Sequence, residues 1–93
     1  MRFLTAFQKK VYSIVKKIPR GQVLSYQEVA NRLDKPGAAR AVGNVLNHNF
    51  DKKVPCHRVI RSDGSVGGYR SGTKKKIEIL INEGLKIKNG KIY

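Results

Sequence analysis

Cysteine is almost absent from this sequence, with Cys56 the only one among 93 residues. A single cysteine excludes an internal disulfide. One cysteine and two histidines also fall short of the four ligands of the usual structural zinc site, so no metal is expected. Acidic side chains are scarce too: six Asp and Glu stand against twenty Lys and Arg, for a formal net charge of +14. Such a chain repels itself unless an anionic partner screens it. Nucleic acid is the leading candidate and an anionic membrane surface the rival. No hydrophobic run approaches the length of a spanning helix and no signal peptide opens the chain, so a soluble, intracellular protein without membrane attachment is expected. Internal repeats and low-complexity linkers are missing as well. At this length, with 40% hydrophobic residues, residues 1–93 suffice for one small domain with a modest core, not two.

What is present reads mainly as helix. Thr5-Ala6-Phe7-Gln8 has the form of a capping box, and Leu4, Phe7, Val11, Ile14, Val15 and Ile18 then recur at helical spacing up to Pro19. Lys9, Lys10, Lys16 and Lys17 lie off that stripe, on a solvated face. After the turn Pro19-Arg20-Gly21, Gln22-Val23-Leu24 forms a short connection to a second capping box, Ser25-Tyr26-Gln27-Glu28. The helix it starts runs to about Leu33 and is broken by Asp34-Lys35-Pro36-Gly37. A further helix follows from about Ala38 to Asn47. That spacing is helix-turn-helix. On the second helix Val42, Val45 and Leu46 face the core, while Arg40, Gly43, Asn44 and Asn47 share the other side. Small residues around Arg40 let a helix backbone approach a nucleic-acid groove, and they equally suit tight helix packing.

The second half is less regular. Ser62-Asp63-Gly64-Ser65 is a turn, and Val66-Gly67-Gly68-Tyr69 fits neither strand nor helix. Its paired glycines imply backbone passing close to a ligand or another segment, or else a flexible loop. Thr73 is placed to cap a last helix with Ile77, Leu80 and Ile81 as its apolar face and Gly84 at its end. Lys74, Lys75 and Lys76 crowd the positive end of that helix, where a phosphate partner or simple solvation would accommodate them. Leu85 to Tyr93 alternates about Asn89-Gly90 and predicts a terminal β-hairpin, to which no chemistry is assigned.

The lone cysteine sits in Val54-Pro55-Cys56-His57-Arg58-Val59-Ile60, beside an imidazole. The thiolate is the nucleophilic form, and an unperturbed thiol with pKa about 8.5 is little ionised at neutral pH, so a neighbour must activate it. Pro55 restricts the approach of the backbone, and Val59-Ile60 suit a short buried strand that holds the thiol rigidly. Taken singly, Cys56 and His57 also fit a packed core and Glu83 a helix end.

Pro55-Cys56-His57-Arg58-Val59 resembles the active-site signature of the O6-alkylguanine-DNA alkyltransferases, which repair DNA in a single turnover. The resemblance extends in order through Gly21 to Glu28, Ala38 to Gly43, Gly64 to Tyr69 and Asn82-Glu83-Gly84. It covers about Phe7 to Gly84, the family's catalytic domain, without the amino-terminal domain that many members carry. The implied fold is α/β: a mainly helical, small single domain with a helix-turn-helix, winged-helix-like core, short strands near the Cys motif and a C-terminal β-hairpin.

The family likeness implies that Cys56 takes the alkyl group from the guanine oxygen and keeps it, with no cofactor. His57 is the implied general base, acting through a water, with Glu83 orienting the ring. The damaged base must first leave the duplex, at a cost of a few kcal/mol. Arg40 matches the arginine that fills the vacated space. Tyr26 matches the tyrosine that crowds the 3′ phosphate, and its hydroxyl can also reach the leaving oxygen. Ala39, Gly43 and Asn44 lie on the same DNA-facing helix, which in this family enters the minor groove. Val59, Val66, Gly67, Gly68, Tyr69 and Lys76 match the pocket for the flipped base. Asn49, in a loop one residue shorter than is common, matches the family's hinge asparagine. The implied partner is double-stranded DNA containing O6-alkylguanine, bound by a monomer in the cytoplasm, or in the nucleus of a eukaryote. The alternative is a non-catalytic alkyltransferase-like protein that binds the lesion, although that class lacks the cysteine. A helix-turn-helix transcription regulator would explain Arg40 and the charge but not the Cys56 motif.

Overall fold

Helix α1, Ala6–Lys16, begins at a reciprocal pair of bonds: Gln8 N donates to Thr5 Oγ1 at 3.1 Å, and Thr5 N donates to Gln8 Oε1 at 2.8 Å. Two otherwise orphaned amides are thereby satisfied. Its buried face carries Val11 and Val15, with Ile18 just beyond, while Lys9, Lys10, Lys16 and Lys17 point to solvent. The computed structural model describes residues 5–49, 51, 53–69 and 72–93, so the apolar position assigned to Leu4 lies outside the described residues.

The same device starts α2, Tyr26–Arg32, where Ser25 Oγ accepts from Glu28 N at 3.0 Å and Glu28 Oε1 accepts from Ser25 N at 2.9 Å. Asp34 turns the chain with φ 58°, and a short 3₁₀ turn over Pro36–Ala38 feeds α3, Ala39–Asn47. Val29 and Ala30 of α2 pack with Val42 and Leu46 of α3 and with the buried valines of α1, closing the main core. This is the helix-turn-helix, buttressed from behind by α1.

One element departs from expectation. Leu24, read from sequence as part of a connection, is in a strand: β1, Leu24–Ser25, pairs in parallel with β2, Val59–Ile60, in the register Leu24 to Val59 and Ser25 to Ile60. Parallel strands need a long crossover. Here the crossover is the helix-turn-helix together with the Cys56 turn. The ladder therefore joins the start of α2 to the residues just after the thiol.

Helix α4, Thr73–Asn82, corrects two readings. Thr73 is its first residue, not its cap: Gly72 occupies the cap position, and the Thr73 hydroxyl donates to Gly67 O at 3.3 Å. Ile81 is half exposed, and the inward face is Leu80 with Lys76, flanked by the partly buried Ile77. Glu83 caps the helix and Gly84 follows with φ 97°, a conformation glycine adopts without penalty. Strands β3, Ile87–Lys88, and β4, Lys91–Ile92, close the predicted hairpin, with Asn89 and Gly90 both at positive φ as a type I′ turn requires. A second small core, Ile60, Val66 and Leu80, lies under α4 and this ribbon. The result is a small α/β domain, mainly helical, with few and short strands.

Candidate active site

Cys56 opens a 3₁₀ turn, Cys56–Arg58, placed between Pro55 and β2. The turn is held by Cys56 N donating to Val54 O at 2.8 Å and Arg58 N donating to Pro55 O at 2.9 Å, which leaves the thiol 7% exposed in the main core. Behind it, the buried Asn49 side chain donates to Asp51 O at 3.2 Å and Val54 O at 3.3 Å and accepts from Asp51 N at 3.0 Å. Asn49 thus closes the loop that delivers the chain to Cys56.

His57 Nε2 lies 3.0 Å from Glu83 Oε2. Glu83 is also gripped by Arg58, whose Nε donates to Oε1 at 3.0 Å and whose Nη2 donates to Oε2 at 2.7 Å. These bonds hold the Glu83 carboxyl down at about 2: Arg58 contributes most, burial opposes it, and His57 adds to the lowering. The carboxylate engages Nε2, so Nδ1 is the ring nitrogen that Glu83 does not hold.

On the other side of the thiol stands Lys76, fully buried. Its Nζ donates to Val59 O at 2.7 Å, Gly68 O at 3.2 Å and Tyr26 Oη at 3.5 Å. Among the described residues no carboxylate pairs with it. Burial pushes Lys76 down to about 8. A thiolate at Cys56 works the other way, and the positive charge of Arg61 adds to the lowering. Of the three clustered lysines, then, Lys74 and Lys75 are solvated and Lys76 turns inward to cross-link two walls of a pocket. Burial also raises the Tyr26 hydroxyl above its ordinary value.

Tyr26 is the hinge between this pocket and the surface. Its ring lies against Gly43 of α3 on one side and Gly67 on the other. A side chain at Gly67 would be strained by φ 73° and would meet the Arg61 stem at 3.3 Å, so the close backbone approach read from the glycine pair holds at Gly67. Gly68 is open at its Cα and contributes only its carbonyl. Val59 is buried in the main core, Val66 in the second core with Ile60 and Leu80, and Tyr69 packs on the main core.

A surface groove of about 620 Å³ runs beside Tyr26. Ala39, Arg40, Gly43, Asn44 and Asn47 of α3 line it with Gln27 on one side, and Arg61, Ser62 and Gly68 on the other. It brings together every α3 position assigned from sequence to the outward face. Cys56, His57 and Glu83 do not line it. Sequence reasoning missed Arg58 as the partner of Glu83 and Arg61 as the opposite lip of the groove. Nothing local marks either, because both act on residues distant in the chain. Among the described residues no three His, Cys, Asp or Glu side chains gather as a metal site, and no helix is long and apolar enough to cross a membrane.

Residues 6–85 match the family model described as 6-O-methylguanine DNA methyltransferase, DNA binding domain. The chain is 45% identical over 84 residues to a methylated-DNA–protein-cysteine methyltransferase of Methanothermobacter thermautotrophicus, covering 89% of this chain and 47% of that protein. Among solved structures it is similar to Mycobacterium tuberculosis OGT in complex with DNA, with TM-score 0.84 and 42% identity over 88% of this chain and 51% of the other. It is also similar to S. pombe Atl1 in complex with damaged DNA containing O6-carboxymethylguanine, with TM-score 0.83 and 36% identity over 95% of this chain and 83% of the other. The chain spans less than half the length of this and other curated relatives it matches.

Proposed function

The chain belongs to the 6-O-methylguanine DNA methyltransferase family, and on that footing we propose that it repairs DNA by taking the alkyl group of O6-alkylguanine onto Cys56. The observation that carries the reading is the His57–Glu83 pair, 3.0 Å apart, adjoining the buried Cys56 in a domain whose surface groove is lined by Arg40 and Arg61. His57 takes the thiol proton through a water. Sγ attacks the alkyl carbon, the carbon–oxygen bond breaks with its electron pair going to the guanine oxygen, and the base regains a proton from the His57 side or from Tyr26. The thioether has no route back to the thiol, so each chain acts once. No cofactor enters this balance.

On this reading residues 1–93 form one unit that both binds DNA and carries the chemistry. Helix α3 enters the minor groove of duplex DNA with Ala39, Gly43 and Asn44 against it, and Arg40 fills the space left by the rotated base. Val59, Val66, Gly67, Gly68, Tyr69 and Lys76 enclose that base, and Asn49 steadies the Cys56 loop. The protein works as a monomer wherever the DNA is, in the cytoplasm or a nucleus.

A second reading, lesion binding without transfer, is favoured by coverage, since the chain matches 83% and 90% of the length of two Atl1 structures. Intact-protein mass after incubation with duplex containing O6-methylguanine separates the two. One added methyl on Cys56 supports transfer; tight binding with unchanged mass supports the lesion binder.

A further inference from the structure

Glu83 carries more than the bond to His57. One oxygen, Oε2, meets both His57 Nε2 at 3.0 Å and Arg58 Nη2 at 2.7 Å, while Oε1 accepts from Arg58 Nε at 3.0 Å. The remaining Arg58 nitrogen, Nη1, donates to Ile18 O at 2.8 Å, just past α1. The guanidinium is thus fixed on both edges, with side-chain exposures of 17% for Arg58 and 7% for Glu83. The same corner is tied a second time: Arg20 Nη2 donates to Asn82 O at 2.8 Å, and a Cβ at Gly21 would sit 3.3 Å from Glu83 O.

This geometry has an electrostatic result. An uncompensated carboxylate at 3.0 Å from an imidazole favours the imidazolium. An imidazolium cannot accept a thiol proton. A guanidinium bonded to the same carboxylate offsets most of that field while leaving Oε2 able to accept from Nε2–H. Among the described residues, the charged and titratable groups placed at the pair are Cys56 and Arg58 from its own turn, Glu83 from the end of α4, and Arg20 from the turn after α1, bonded one residue before Glu83. Lys76 acts on the Cys56 side.

We propose that Arg58 is a positioning residue that anchors Glu83 to the end of α1 and offsets its charge, so that the carboxylate orients the His57 ring through Nε2 without the full field of an unpaired carboxylate acting on it. The consequence for repair rests on the alkyl-transfer reading, but the charge balance itself does not. The test is an NMR titration of the His57 ring in the full chain without DNA, assigned with His57→Gln, on wild type, Arg58→Gln and Arg58→Lys. Removing the guanidinium charge should raise the His57 midpoint by about one pH unit or more. Lysine keeps the charge but not the planar fork, so Arg58→Lys should titrate within a few tenths of wild type while transferring methyl more slowly from O6-methylguanine duplex. Arg58→Gln combined with Glu83→Gln should bring the midpoint back. A purely structural arginine would slow transfer in both variants without moving the titration. An unchanged or lowered midpoint in Arg58→Gln therefore overturns the proposal, as does a Lys variant that shifts as far as Gln. Should Arg58→Gln lose its fold, Arg58→Lys decides alone: a midpoint near wild type supports the proposal, and one raised by a full unit overturns it. Absence of methyl transfer in wild type would count against the alkyl-transfer reading, while the His57 midpoints still decide this one.

Discussion

The ammonium of Lys76 lies 3.5 Å from the Tyr26 hydroxyl and 5.7 Å from the centre of its ring, so the two residues lock the last helix to the first residue of α2. A buried cation held only by carbonyls and a phenol has a cost that depends on pH. The folded value is about 8 against an ordinary 10.5. Below about 8 both folded and unfolded chains carry the proton and the burial cost is fully felt; between the two values the unfolded chain binds more protons, so stability should rise with pH. Chemical denaturation of wild type and Lys76→Met across this range checks it. The wild-type curve should climb relative to the variant, and parallel curves would contradict it.

Glu83 gives the opposite window. Its folded value of about 2 lies below the ordinary 4.5, so its contribution is complete above the ordinary value and is lost as pH falls toward 2. Glu83→Gln should cost about 1–3 kcal/mol at pH 7, since charged donors lose their acceptor. The same change should flatten the acid limb of the stability curve. Thermal melts from pH 7 to pH 2 would show an undiminished acid limb if the Arg58 and His57 bonds contribute nothing.

Arg40 separates base rotation from thiol chemistry. A phosphate-binding arginine is replaced by lysine at little loss, but a stacked guanidinium has no equivalent in a compact ammonium. Arg40→Lys and Arg40→Ala should each slow methyl transfer from duplex by about tenfold, or about 1.4 kcal/mol. Reaction with free O6-benzylguanine, which needs no rotation, should stay near wild type. Unchanged duplex repair in Arg40→Lys would reduce Arg40 to one cation among many.

Cys56→Ser should bind lesion-containing duplex and transfer nothing, with the same salt dependence as wild type. For a chain of net charge +14, log affinity should fall with log salt by about 0.9 per phosphate contacted. Undamaged duplex should share most of that slope. Salt-independent binding, read by fluorescence anisotropy between low and physiological salt, would point to a different partner.

The elements that announce themselves locally were legible in the sequence. Thr5 to Gln8 and Ser25 to Glu28 carry their caps within four residues, and Asn89-Gly90 dictates its own turn. The Cys56 motif and the α3 face were legible for the same reason. What escaped was set by distant partners. The buried strand Val59–Ile60 was read from sequence, but its partner Leu24–Ser25, two residues long, is too short to show a period. By residue pattern Lys76 looked like one of three equivalent lysines, set apart only by the family resemblance; its burial and its bonds to Val59 O and Gly68 O distinguish it physically. Thr73 has the right chemistry for a cap but stands one residue inside the helix, because Gly72 makes the turn. Arg58 and Glu83 are 25 residues apart, beyond any helical pairing rule.

The terminal ribbon was given no task, yet it is tied to the glycine segment of the pocket. Val66 N donates to Gly90 O at 2.9 Å, Ile92 N donates to Gly64 O at 3.0 Å, and Ser65 bridges to Lys91. The turn that presents Gly67 to Tyr26 therefore borrows its stiffness from residues 85–93. Shortening the protein before Leu85 would remove no residue named in the site, yet would slacken the segment that seats Gly67 against Tyr26. A tag appended after Tyr93, whose side chain is largely exposed, extends into solvent and leaves that brace intact.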